Sequence, residues 1–230
     1  MQQCQILILG EAGMCGLSFD LKLEDGLCDC GAGVGTRALC CRFAANFFPE
    51  DYDPVIEDLY EKQVSVNGED VNIQLYDVAG QEEYFPLHDY HAQRSEGFLL
   101  AYSITSRTSF ERIRELHHTI LRNKPGEADI PVVLLANKCD LTRDRQVPAI
   151  EGEILARKMG WHFFETSAKT KTNVDEAFVE LVARVRQSQK VEEPPTPTPP
   201  PLSPSPPPPQ PIEEPAEEVG VPGCRICVIM

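Results

Sequence analysis

The feature that most narrows the fold is a series of short apolar runs, each closed by a polar signature. Gln5-Ile6-Leu7-Ile8-Leu9 stops at Gly10, and Val71, Ile73 and Leu75 alternate ahead of Asp77-Val78-Ala79-Gly80-Gln81. Phe98 to Ile104 is almost wholly apolar. Pro131 to Ala136 leads into Asn137-Lys138-Cys139-Asp140, and Trp161 to Phe164 precedes Glu165-Thr166-Ser167-Ala168-Lys169. Between the runs lie stretches of helical spacing, about Thr108 to Arg122, Pro148 to Met159 and Val174 to Arg186. In the last, Val174, Phe178, Leu181, Val182 and Val185 mark one face. Strands alternating with helices predict an α/β fold, a mainly parallel sheet with helices on both faces. Ligands of such sheets sit outside the carboxyl ends of the strands, where the polar signatures fall.

Composition sets the limits of that domain. Fourteen of the 20 prolines lie between Val191 and Pro222, with six glutamates and no Lys or Arg, so this stretch cannot bury enough apolar surface to fold. An extended polyproline linker over residues 191–223 is expected after a domain at residues 1–190. The formal charge of −15 opposes nucleic-acid binding, which needs a basic face. The N-terminus lacks signal-peptide features, so a cytosolic chain with reduced thiols is expected from its nine cysteines. Cys28, Cys30, Cys40 and Cys41 do not have zinc-site spacing, and the five histidines show no ligand pattern.

The signatures together resemble the Ras family of small GTPases over nearly all of residues 1–190. Tyr52-Asp53-Pro54-Val55-Ile56-Glu57-Asp58 looks like the first switch and effector segment, Asp77 to Tyr84 like the second switch, and Asn137-Lys138-Cys139-Asp140 and Glu165-Thr166-Ser167-Ala168-Lys169 like the guanine-binding pair. The resemblance implies a P-loop NTPase-type G domain with a mainly parallel six-stranded sheet, which binds GTP and GDP with Mg²⁺ and meets exchange, activating and effector proteins. It also implies roles for single residues. Asp140 would accept the N1–H and 2-amino donors of guanine, which adenine cannot match. Asn137 would brace neighbouring loops, the Lys138 stem and Phe48 would pack against the base, and Ala168 would offer its N–H. Asp77 would hold Mg²⁺ through water, Gly80 N–H would face the γ-phosphate, and Gln81 would orient the attacking water.

The phosphate-binding loop departs from the family. Excising Cys15 to Val34 joins Gly10-Glu11-Ala12-Gly13-Met14 to Gly35-Thr36-Arg37-Ala38 in the register of such a loop, directly after a strand, which suggests a 20-residue insertion. The alternative takes Gly31-Ala32-Gly33-Val34-Gly35 as the loop, with Cys30 in place of its first glycine and no strand before it. A retained intron would also produce such an interruption. In either alignment the phosphate-binding lysine is Thr36 and the Mg²⁺-binding Ser/Thr is Arg37, while Val55 replaces the switch threonine and has no oxygen to ligate a metal. Ala12 stands where Ras proteins have glycine. Arg37 either neutralises phosphate in place of lysine and metal, or points to solvent at a helix start where a cation is unfavourable.

The last four residues, Cys227-Val228-Ile229-Met230, form a C-a-a-X ending for prenylation. One lipid anchors marginally and the linker is acidic, which leaves Cys224 as the candidate for palmitoylation. Attachment to the cytosolic face of the plasma membrane or an endomembrane is expected. The proline-rich stretch reads first as a spacer and secondly as an SH3 or WW ligand.

Overall fold

A computed structural model of the chain describes residues 2–11, 33–49, 56–80, 84–126 and 129–192. Six strands alternate with five helices. They are β1 (Gln2–Gly10), α1 (Thr36–Ala45), β2 (Glu57–Val66), β3 (Glu69–Val78), α2 (Phe85–Arg94), β4 (Gly97–Ser103), α3 (Arg107–Asn123), β5 (Val132–Asn137), α4 (Ala149–Met159), β6 (His162–Glu165) and α5 (Val174–Glu192). The sheet order is β2-β3-β1-β4-β5-β6, with β2 antiparallel to β3 and every other pairing parallel. Asn67 and Gly68, at φ 54° and 83°, make the two-residue turn between β2 and β3. A two-residue hairpin turn of this hand follows the strand twist, and Asn-Gly is its favoured pair.

Strand side chains alternate between two cores. Cys4, Ile6 and Ile8 of β1 face α1 and α5, where Phe43 and Phe178 stack with ring centroids 4.1 Å apart. Leu7 and Leu9 face the layer of α2, α3 and α4, with Ala92, Ile113, Leu116, Ile120 and Ala156. All seven residues of β4 and all six of β5 are buried, which explains why those runs are apolar throughout rather than alternating.

Two boundaries differ from the sequence reading. The strands run one or two residues into the polar signatures, so Gly10, Asp77, Asn137 and Glu165 belong to strand ends rather than to the loops that follow. Helix α5 runs on to Glu192, past the Arg186 end expected from its apolar spacing. No helix among the described residues is long and apolar enough to cross a membrane.

Candidate guanine-nucleotide site

The carboxyl ends of β1, β3, β5 and β6 converge on one edge of the sheet, and a cavity of about 250 Å³ opens there between α1 and the loops after β5 and β6. Gly35, Ala38 and Phe48 form one wall, and Asn137, Lys138 and Asp140 another. Ala168 and Lys169 close the far side with Leu141, a residue the sequence reading did not single out. Nothing marked Leu141 beforehand, since a leucine after a turn reads as ordinary packing.

Asn137 is the hub. Its side chain is 1% exposed, its Nδ2 donates to Val34 O at 2.8 Å, and its Oδ1 accepts from Ala168 N at 3.3 Å. One amide therefore ties the phosphate-loop residue to both base loops. Lys138 then takes a left-handed conformation at φ 65°, and the turn closes with Leu141 N donating to Lys138 O at 2.9 Å. That reversal carries Asp140 back over the cavity. Ser167 Oγ donates to Asp140 Oδ1 at 2.6 Å and accepts from Thr170 N at 3.1 Å, so the carboxylate is held by a residue that is itself held. Burial pushes the Lys138 amine below its ordinary pKa, against the pull of Asp140.

Arg42, also not singled out, braces the loop after β6. Its Nε donates to Ala168 O at 2.7 Å, Nη2 to Lys169 O at 3.2 Å and Nη1 to Asn46 O at 2.9 Å, with its guanidinium carbon 5.8 Å from the Phe48 ring centre. Contacts across 126 residues of sequence leave no local signal.

At the phosphate end β1 leads to Gly10 and Glu11, and residues 33–35 lead into α1. Val34 N donates to Glu11 O at 3.2 Å and Val34 is 2% exposed. Its carbonyl is the acceptor for Asn137 Nδ2. Gly35 sits at φ 86°, and a Cβ there would lie 2.9 Å from Asn137 Nδ2. Only glycine meets both demands without displacement.

Thr36 and Arg37 open α1. Arg37 does not extend into solvent: its side chain is 32% exposed and its Nε stands 3.7 Å from Asp58 Oδ2. Tyr60 hydroxyl donates to the same Asp58 oxygen at 2.9 Å. Asp58 and Asp77 are cross-strand partners in the β2–β3 ladder. Burial pushes the Asp77 carboxyl up to about 6, with Asp58 adding to the rise while a hydrogen bond from Thr36 and the charge of Arg37 oppose it.

Ile56 is 53% exposed, and Glu57 and Asp58 begin edge strand β2. Ala79 and Gly80 follow β3, and Ala79 N donates to Ile56 O at 2.9 Å. Ala12, Gly13, Met14, Tyr52, Asp53, Pro54, Val55, Gln81, Cys224 and Cys227 lie outside the described residues.

Sheet order, strand-end signatures and this cavity define a small G domain. The Ras family matches residues 30–187, and the chain is 44% identical over 158 residues to "Ras-like protein rasS" of Dictyostelium discoideum, across 69% of this chain and 81% of that protein. The chain belongs to the Ras family of small GTPases, whose members bind guanine nucleotides.

The family's magnesium finds a poor donor set. Mg²⁺ requires near-octahedral oxygen coordination. Here Arg37 stands where an oxygen ligand is expected, Val55 has none, and the Thr36 hydroxyl is engaged by Asp77. The residues do not fit the ion.

Proposed function

We propose that this protein binds GDP and GTP through a complete guanine pocket, with phosphate binding and GTP turnover reduced relative to its family, and that it works on a membrane. The observation that carries the reading is the Ser167–Asp140 contact, which holds a carboxylate on the cavity. Asp140 would accept two hydrogen bonds from guanine, whereas adenine would leave a desolvated carboxylate unpaired, so discrimination is strong. Lys138 and Phe48 supply the apolar walls for the base.

Phosphate affinity is the weakened part. The lost lysine contact is worth about 1.5–3 kcal/mol, roughly tenfold to a hundredfold in affinity. Backbone N–H groups at the start of α1 remain available to an anion. Labelled GDP on the full-length chain is to be displaced by GDP and GTP and to resist ADP and ATP at equal concentration. Equal displacement by both sets removes the reading.

A second reading is favoured by the Arg37–Asp58 contact, which occupies the catalytic corner with protein charge. On this reading the chain is a pseudo-GTPase, an effector-binding scaffold that carries nucleotide without useful hydrolysis. Single-turnover hydrolysis of bound GTP separates the two: release of phosphate supports a slow GTPase, and its absence over hours supports the scaffold. Cys227 prenylation and Cys224 palmitoylation would set the membrane address. Mass spectrometry of the C-terminal peptide from a eukaryotic host tests both, and an unmodified Cys227 removes that part.

A further inference from the structure

Two walls of the guanine cavity come from segments far apart in the chain, and one side chain joins them. On one side Ala38 belongs to α1 and Phe48 to the turn that follows it; on the other stand Ala168 and Lys169, after β6. Arg42, in the last turn of α1, reaches both. Its Nη1 donates to Asn46 O at 2.9 Å, two residues ahead of Phe48, while Nε and Nη2 donate to Ala168 O at 2.7 Å and Lys169 O at 3.2 Å. Asn46 ends α1 in the left-handed region at φ 53°, so the chain turns there before Phe48 reaches the cavity. The guanidinium carbon of Arg42 lies 5.8 Å from the Phe48 ring centre. A planar fork of five donors lets one rigid group hold three carbonyls at once. The Ala168 peptide is gripped from both sides: its N–H donates to Asn137 Oδ1 at 3.3 Å, which ties it to β5, and its carbonyl is held by Arg42, which ties it to the Phe48 side. Arg42 itself does not line the cavity.

We propose that Arg42 is the latch of this pocket, a positioning residue that sets how long a nucleotide stays without touching it. It does so by keeping the Phe48 wall and the Ala168–Lys169 wall together around the base. The inference rests on the guanine-nucleotide reading and adds to it the contact that opens for exchange. A chain without the fork orders these walls only when the base arrives, which lowers affinity, and parts them more often, which shortens the bound lifetime. Because the fork acts at the base end, nucleotides that differ only in their phosphates are affected alike.

The test is release from the full-length chain of GDP and of a hydrolysis-resistant GTP analogue, each with a fluorophore on the ribose, with uptake timed on the same samples. Arg42→Gln is expected to release both about tenfold faster, by factors that agree within about twofold, and to take them up no more slowly than wild type. Arg42→Lys is expected to match Arg42→Gln within about threefold, since one ammonium does not span three carbonyls. Release from Arg42→Gln within about twofold of wild type overturns the inference and leaves guanine binding standing, and so does an Arg42→Lys chain with the wild-type lifetime. Acceleration of only one nucleotide places the effect at the phosphate end and overturns it too. Slowed uptake marks Arg42 as a residue of the fold alone, with the same consequence. If circular dichroism shows Arg42→Gln unfolded, Arg42→Lys decides by the same readings. A wild-type chain that takes up neither nucleotide overturns the inference together with the reading beneath it.

Discussion

Ser167 Oγ stands 2.6 Å from Asp140 Oδ1, a hydrogen bond between two loops 27 residues apart in sequence. It fixes the carboxylate before any base arrives, so the pocket does not spend binding energy on ordering that side chain. Ser167→Ala is expected to weaken GDP binding by about 1 kcal/mol, near fivefold, with little change in thermal stability. Titration calorimetry beside a melting curve checks it, and a large loss of stability would reassign Ser167 to the fold.

Arg42 makes the complementary case. Its contacts with Ala168 O and Lys169 O reach from α1 to the loop after β6. Arg42→Ala should cost about 1–2 kcal/mol of stability, since the contacts are only partly buried, and should also weaken GDP binding. Chemical denaturation with and without nucleotide measures both. Arg42→Lys should recover little, because one ammonium cannot hold three carbonyls in that fork.

At Gly35 the constraint is backbone conformation. Gly35→Ala puts a Cβ into the left-handed region and 2.9 Å from Asn137 Nδ2. Strain plus a compromised Asn137–Val34 bond should destabilise the chain by about 2 kcal/mol. GDP binding should fall with it, read by the same calorimetry, whereas Gly68→Ala, with nothing within 4 Å, should leave binding unchanged.

Much of this was written in the sequence, and the missing parts share a cause. The β4 and β5 runs showed their burial on both faces, and Asn137, Asp140 and Ala168 were marked by signatures that fall at strand ends. Local spacing could not reveal Arg42, whose partners are 126 and 127 residues away. Nor could it place Val34, whose carbonyl accepts from Asn137, 103 residues further along the chain. Arg37 is anomalous by residue type alone, but its pairing with Asp58 depends on the packing of α1 against β2.

Stability should depend on pH through the histidines. Burial holds His88 and His91 below the ordinary imidazole pKa, opposed by Ala79 O 2.8 Å from His88 Nε2 and by Glu57 near His91. His117 is lowered by burial and by neighbouring His118. A group whose folded pKa is depressed favours the neutral form, so its contribution is complete above the unfolded value near 6.5 and is lost as pH falls below it. Asp77, raised to about 6, acts oppositely, but its penalty builds up between its ordinary carboxylate pKa and about 6 and levels off above that, so it changes little towards pH 7.5. Three groups against one predict a lower urea midpoint at pH 5.5 than at 7.5, and replacing His88 and His91 with Gln should remove most of the decline. A midpoint that rises on acidification would contradict the assignment.

Guanine recognition intact beside an altered phosphate corner is the central claim, and the ratio of GDP to ADP affinity tests it. Measured by calorimetry on the full-length chain, the ratio should be about a hundredfold or more and should collapse below about tenfold in Asp140→Ala. A wild-type ratio near one, or a ratio that Asp140→Ala leaves unchanged, would contradict the account.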